Sequence, residues 1–341
     1  MTQAKSSLLH IYGFALVLSA ILLLLVGLKE GTSAFLTVLI LAGLEVTFSF
    51  DNAIVNARIL QGMSRVWQTI FMTVGIFIAV FVVRVLLPIL IVSLSSSTGF
   101  GHILWLALHD PTAYSEKLSL AQPLISTFGG IFLLMIFLDF MFEHRKVRWL
   151  RGIEAALARV GKIENASVTL SLIALFIATY GFAASSRRFQ VLIAGLIGLG
   201  IYLIVNALDS AGEPESGTKN TVVRAGFVGF LYLELIDASF SLDGVVGAFA
   251  LTKNILLIAV GLGIGALFVR SMTVHLMRRG VLARYRYLEH GAHYAIGILA
   301  LIMLLSIKYQ VPEFITGGAG LVVIAAALYQ SHKESTSAAE V

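Results

Sequence analysis

Ten stretches of this 341-residue chain are apolar for long enough to cross a bilayer, and that property alone leaves few folds open. A segment of about 20 residues rising ~1.5 Å each matches a hydrocarbon core ~30 Å thick. The stretches lie near 8–28, 34–57, 67–93, 123–142, 167–183, 189–207, 222–250, 254–277, 290–307 and 313–330. Lipid offers no partner to backbone amides, so consecutive segments of this kind predict an all-α polytopic membrane protein. Only 13% of residues are charged, where soluble domains carry about 25%.

Basic residues test the count. With the N-terminus in the cytoplasm, sixteen of the 24 Lys and Arg residues fall on the inner side and six on the outer, leaving Arg84 and Arg270 within spans. This bias follows the positive-inside rule and predicts a multi-pass protein of a bacterial inner membrane with both termini cytoplasmic. The same loops account for the formal charge of +5, so the expected surroundings are the lipid bilayer and no nucleic acid. Residues 8–28 are long enough to span and lack a small-residue cleavage site, so no cleavable signal is expected. The chain has no cysteine, which removes disulfides and thiolate ligands and leaves oxygen or imidazole to hold any metal.

A self-comparison locates the chemistry. Glu45-Val-Thr-Phe-Ser-Phe-Asp51-Asn52 recurs as Asp237-Ala-Ser-Phe-Ser-Leu-Asp243-Gly244, an offset of 192 residues, with six of the first seven pairs identical or similar. The next span repeats as well, since Gly75 to Arg84 and Gly261 to Arg270 both read glycine, eight mostly apolar residues, arginine. The copies are five spans apart, and an odd displacement inverts one against the other. The expected organisation is therefore about ten transmembrane helices in two inverted five-helix repeats. Residues 1–183 form the first half, with motif span 34–60 and a basic connector 144–166. Residues 184–332 form the second, with motif span 222–252, and 333–341 form a cytoplasmic tail. Inverted repeats typify secondary transporters, whose sites lie near the midplane where the copies meet.

Carboxylates inside such spans cost several kcal/mol unless paired, protonated or coordinated, so they mark a site. Glu45 lies about eleven residues into its span, hence ~16 Å deep, and Asp237 is comparably placed from the other side, so the two are expected to meet. Depth also predicts cross-repeat pairs: Asp51 with Arg270 and Asp243 with Arg84. On a straight helix Glu45, Ser49 and Asn52 share a stripe while Asp51 falls about 120° away. Either the acids have separate roles or the helix is unwound at Ser49–Asn52 and again at Ser241–Gly244, which would expose backbone carbonyls to an ion; the break is the favoured expectation. Glu234, one turn before Asp237, is a candidate third carboxylate. The candidate metal ligands are thus Glu45, Ser49, Asp51, Asn52, Glu234, Asp237, Ser241 and Asp243, with Arg84 and Arg270 as charge-compensating groups. Such oxygens without thiols suit manganese, calcium or magnesium.

Other features weigh less. Glu289, His290 and His293 open the ninth span and suggest a cytoplasmic access site, although interfacial histidines are common. The connector is basic and partly amphipathic, which fits either an anionic membrane surface or a solvated link. The outer segment 94–122, read as a loop, holds His102, His109 and Asp110.

The two motifs resemble the paired acidic signatures of the TerC-like family of integral membrane proteins, named for tellurium resistance, in a branch catalogued as a domain of unknown function. The resemblance covers 34–93 and 222–307. It implies an exporter of divalent cations, manganese above all, and carries Glu45, Asp51, Asn52, Asp237 and Asp243 over as cation-binding positions. The long outer segment, and Gly244 where the first copy has Asn52, depart from the pattern. The function expected is a secondary transporter, exporting a divalent cation with no permanently bound cofactor and exchanging it for protons, since a carboxylate in lipid needs a proton once its cation leaves. An amino-acid exporter is the alternative, its substrate held by a carboxylate pair and an intramembrane arginine. An intramembrane aspartyl protease, which also uses aspartates on separate spans, is the alternative of another class; no enzymatic activity is the expectation. A purely structural role for the acids would leave the meeting of Glu45 and Asp237 without a reason.

Overall fold

The computed structural model describes residues 8–145, 147–210, 219–309 and 311–337, and among these no strand occurs. In chain order the α-helices are α1 (Leu8–Phe48), α2 (Phe50–Gly62), α3 (Arg65–Met72), α4 (Val74–Phe77), α5 (Leu87–Ser96), α6 (Phe100–His109), α7 (Pro111–Phe142) and α8 (Arg151–Val160). They continue as α9 (Ala166–Ile177), α10 (Arg188–Ser210), α11 (Lys219–Ala248), α12 (Ile255–Arg278), α13 (Val281–Arg284), α14 (Leu288–Leu305) and α15 (Glu313–Ser337). Wider π-helical turns, Ile78–Leu86 and Ala178–Phe182, follow α4 and α9.

Seven stretches of the described residues are long and apolar enough to cross a membrane: Ile11–Phe48, Arg65–Ser96, Pro111–Phe142, Ser185–Leu208, Ile255–Arg278, Leu288–Leu305 and Phe314–Glu334. The chain is an all-α polytopic membrane protein. The first stretch contains two of the expected segments, because α1 folds back on itself. Gly31 has φ 85° and ψ −178°, a region essentially reserved for glycine. A Cβ at Gly27 would stand 3.8 Å from that of Phe35, whereas eight residues of straight helix span ~12 Å. The segments expected at 167–183 and 222–250 are helical within Ala166–Phe182 and Lys219–Ala248.

The segment 94–122 is no loop. Phe100–His109 is helical, and Asp110 starts α7 by accepting the Ala113 amide at 3.1 Å, with Pro111 in the first turn, where a missing N–H is harmless. His102 and His109 both stack on Trp105.

Packing places the motif helices. The second arm of α1 rides along α12, where glycines four apart, Gly261 and Gly265, leave no room for a methyl against Leu41 and Glu45. Small residues at this spacing let two helix backbones approach closely in lipid. α7 forms the centre of the main apolar cluster with α14, through Ile131, Phe132, Met135, Ala292, Ile296 and Ala300. At Met63 and Ser64 the chain turns; the Leu60 carbonyl accepts the Met63 amide at 3.1 Å, and Gln68 Nε2 donates to the carbonyls of Leu60 and Met63 at 3.2 and 3.0 Å, fastening the end of α2.

Gly31→Ala should cost ~1–3 kcal/mol, because a side chain at that φ is strained. Gly200→Ala, in α10 with open space where the methyl would go, should leave stability unchanged or slightly raised. Thermal unfolding of the purified protein in detergent measures both.

Candidate functional site: a buried cluster of carboxylates and arginines

Three carboxylates and two guanidiniums meet inside the bundle, contributed by α1, the π-helical segment, α11 and α12. Glu45, Glu234, Asp237, Arg84 and Arg270 are all buried, and the two arginines are each 2% exposed. Arg84 Nη2 donates to Glu45 Oε1 at 2.5 Å and its Nη1 lies 3.9 Å from Asp237 Oδ2. Arg270 Nη2 donates to Glu234 Oε1 and Oε2 at 2.9 and 3.0 Å and approaches Asp237 Oδ2 at 3.4 Å. Asp237 therefore stands between the two cations. Its other oxygen accepts Asn52 Nδ2 at 3.0 Å, and Ser49 Oγ donates to Glu45 Oε1 at 3.2 Å. Glu45 and Asp237, expected to meet, thus share the guanidinium of Arg84.

Local irregularities build these contacts. Ser49, at φ −99° and ψ 20°, separates α1 from α2, while the amides of Ser49 and Ala53 keep helical partners at Glu45 and Ser49. The expected break is therefore confined to one residue. Its counterpart at Ser241–Gly244 is absent, for α11 runs unbroken from Lys219 to Ala248. A second break, at Thr73 (φ −118°, ψ −76°), ends α3. Carbonyls in the last turn of a helix lack intrahelical donors, and Arg270 Nη1 donates to that of Phe71 at 2.8 Å with its guanidinium 4.1 Å above the Phe71 ring. Gly75 makes room: a Cβ there would run into the Arg270 guanidinium and stand 2.6 Å from Glu234 Oε1. Arg84 lies in the π-helical turns and donates to the carbonyl of Ala79 at 2.7 Å. Such turns are frequent at functional sites.

The pairing differs from the cross-repeat scheme. Arg270 is held by Glu234 and Asp237, and Asp51 has no cation within 4 Å among the described residues. Asp51 is buried, with Oδ1 accepting the Asn52 amide and Oδ2 turned toward Gly320 of α15. Its position about 120° from the Glu45 stripe aims it at another helix. Arg84 is held by Glu45 and Asp237; the side chain of Asp243 lies outside the described residues. Distance from the turns would have given the observed partners. Glu45 lies nineteen residues before Ser64 and Arg84 twenty after it, and Glu234 and Arg270 each lie eighteen from Thr252. Ser241 is buried on α11 one turn beyond Asp237.

Two polar groups, buried Asn56 and half-buried Asp139, escaped the motif comparison. Asn56 follows Asn52 by four residues on the same face, and the side-chain oxygens of both asparagines lack a hydrogen-bond donor. Asp139, near the end of α7, accepts a 2.5 Å hydrogen bond from Tyr202 Oη. An aspartate in an apolar span is a signal in itself, but Asp139 sits outside the repeat.

Residues 50–337 match the family described as protein of unknown function (DUF475). The chain belongs to that family. The DUF475 match takes in α2 through α15 and begins just after Glu45 and Ser49. No curated protein and no solved structure matches the chain.

Formally the cluster carries three negative and two positive charges, a net of −1 when all are ionised. Arginine stays protonated in proteins, so these guanidiniums are fixed counter-ions. Among the described residues no three His, Asp or Glu side chains are grouped to hold a metal, because the carboxylates of the cluster point at guanidiniums. His290 is likewise paired, its Nδ1 being 3.1 Å from Glu154 Oε1, and His293 stacks on Phe140.

Removing one partner of a buried ion pair costs ~3–5 kcal/mol through the charge left behind. Arg270→Met should lose about that much in chemical or thermal unfolding, and adding Glu234→Gln should restore more than half. No restoration would mean that Arg270 is not the counter-ion of Glu234.

Proposed function

We propose that this protein is a secondary transporter that exports a divalent cation, manganese foremost, across the bacterial inner membrane, with both termini cytoplasmic. The observation that carries the reading is Asp237, a buried carboxylate placed between two arginines and an asparagine in a bundle otherwise built for lipid. An ionisable group inside a membrane-protein bundle marks a functional site by default. The resemblance of the two motifs to the TerC-like family points the same way.

The arrangement supports exchange of counter-ions. Each arginine occupies carboxylate oxygens that a bound cation would take, so in this reading guanidinium and metal ion are alternative counter-ions of the same groups. A hard divalent ion competes for the same oxygens, and the unpartnered amide oxygens of Asn52 and Asn56 add neutral ligands of the type such ions accept. Binding then requires Arg84 or Arg270 to swing off its carboxylates. The single-residue break at Ser49 and the π-helical turns around Arg84 are the places where the backbone gives most readily. The surplus negative charge of the cluster is matched by a proton when no metal is held, which couples the two fluxes. Calcium and magnesium satisfy the same donor set.

A second reading has one specific observation in its favour: guanidiniums beside carboxylates complement a zwitterion, as an amino-acid exporter would need. The protease reading gains nothing from the geometry, since Asp237 is tied to arginines and not to a second aspartate.

Inverted vesicles separate these readings. Radiolabelled manganese should accumulate and lysine should not, and Asp51→Asn, Asp237→Asn and Asp243→Asn should each lower the manganese flux by about tenfold or more, as expected for intramembrane carboxylates on an ion pathway. Lysine accumulation without manganese flux would transfer the proposal to amino acids.

A further inference from the structure

Two helices, α5 and α10, rest on α7 and leave a gap between them. At Gly198 the seat of α10 is so close that a Cβ would stand 2.5 Å from the Phe128 carbonyl oxygen. The gap is a groove of about 420 Å³, with Leu87 and Ile91 on one wall, Ile193 and Ile197 on the other, and Leu124 and Phe128 of α7 as its floor. Ligand pockets have volumes of this order. Of its lining residues on α10, Gln190 and Ile201 are eleven positions apart, hence ~16 Å, about one leaflet of a ~30 Å hydrocarbon core.

One end of the groove is polar. Ser95, in the last turn of α5, and Gln190, in the first turn of α10, line it there, and every other lining side chain is apolar. Arg187, just ahead of α10, marks the same end: its Nη1 donates to the carbonyl of Leu120, one turn before Leu124 on α7. That guanidinium is half-buried and has no carboxylate within 4 Å among the described residues. Glu116, the acid one turn before Leu120, is exposed and forms no ion pair with it. Arg188 turns elsewhere, donating to the Tyr180 carbonyl at 3.4 Å and lying over the Tyr180 ring. Walls of this composition stay dry, and Ile193 and Ile197 are exposed to the surroundings of these spans, so hydrocarbon is what fills the gap. A guanidinium with free N–H groups at the mouth is shaped for two oxygens of a phosphate. A phospholipid matches both ends at once.

We propose that the groove between α5 and α10 is a binding site for one phospholipid, with an acyl chain laid along Phe128 and Ile197 and the phosphate diester held by Arg187. The site is separate from the buried cluster and does not depend on what the protein carries.

Photocrosslinking of the full-length protein in nanodiscs tests this. The probe is phosphatidylglycerol with a diazirine in the middle of one acyl chain, and the control is diacylglycerol with the same chain and no phosphate. Peptide mapping compares the groove stretch of α10 with the lipid-exposed stretch of α1 around Leu24, which is 61% exposed. The phosphatidylglycerol probe should label the groove in excess over α1, and the diacylglycerol probe should not. Arg187→Gln should lower that excess by about tenfold, the scale of one charge-assisted hydrogen bond. Ala194→Trp, which fills the groove from its wall, should abolish it with either Arg or Gln at 187. Labelling at α1 and the unfolding temperature should stay unchanged in each variant that folds. Equal labelling of groove and α1, an excess that survives both substitutions, or the same excess with diacylglycerol would overturn the proposal. So would a dimer that Ala194→Trp dissociates, which would make the groove a contact between two copies of this chain.

Discussion

Three carboxylates and two guanidiniums held away from water must compensate one another's charge at close range, and the packing of α1, α11 and α12 with the π-helical turns around Arg84 brings them together. Bringing a carboxylate or guanidinium out of water costs several kcal/mol even after relaxation, and the cost is offset only by close, well-directed partners. Arg84 and Arg270 supply them to Glu45, Glu234 and Asp237. Each arginine also donates to a backbone carbonyl, Ala79 or Phe71, so both are held by more than charge. Their Nε atoms alone find no acceptor.

The two motif copies have diverged in backbone as well as in sequence. In the first, the chain is interrupted at Ser49 and Thr73 and widened to π-helical turns around Arg84; in the second, α11 and α12 are regular throughout. A regular helix holds its side chains at fixed heights, whereas an interrupted one can rotate one segment against the next. Glu234 and Arg270 thus form the rigid side of the cluster. Glu45, Asn52 and Arg84 form the side with backbone freedom.

The membrane-spanning segments were legible because lipid makes hydropathy a strong constraint, and the carboxylate motifs were legible because charge is so rare in such segments. Partner assignment was not. Depth calculated along straight helices paired Asp51 with Arg270, yet the fold-back at Gly31 and the break at Ser49 are backbone events that a residue count cannot register. Distance from the turns, a more local quantity, gives Glu45 with Arg84 and Glu234 with Arg270 directly. The segment 94–122 was misread for a different reason: Phe100–His109 is too short to span, so hydropathy over a membrane-length window passes over it. The connector showed its basic character in sequence, but the buried Glu154 that fastens it depends on His290, more than a hundred residues away.

An experimental density map of the protein in lipid nanodiscs, recorded without metal and again after soaking with manganese, tests the central claim most directly. Without metal, the account predicts Arg84 between Glu45 and Asp237 and Arg270 between Glu234 and Asp237, all shielded from lipid; with manganese, it predicts density for the ion at Asp237 and at least one guanidinium moved off its carboxylates. A map with Glu45 and Asp237 apart, or with either arginine turned toward lipid, would contradict it.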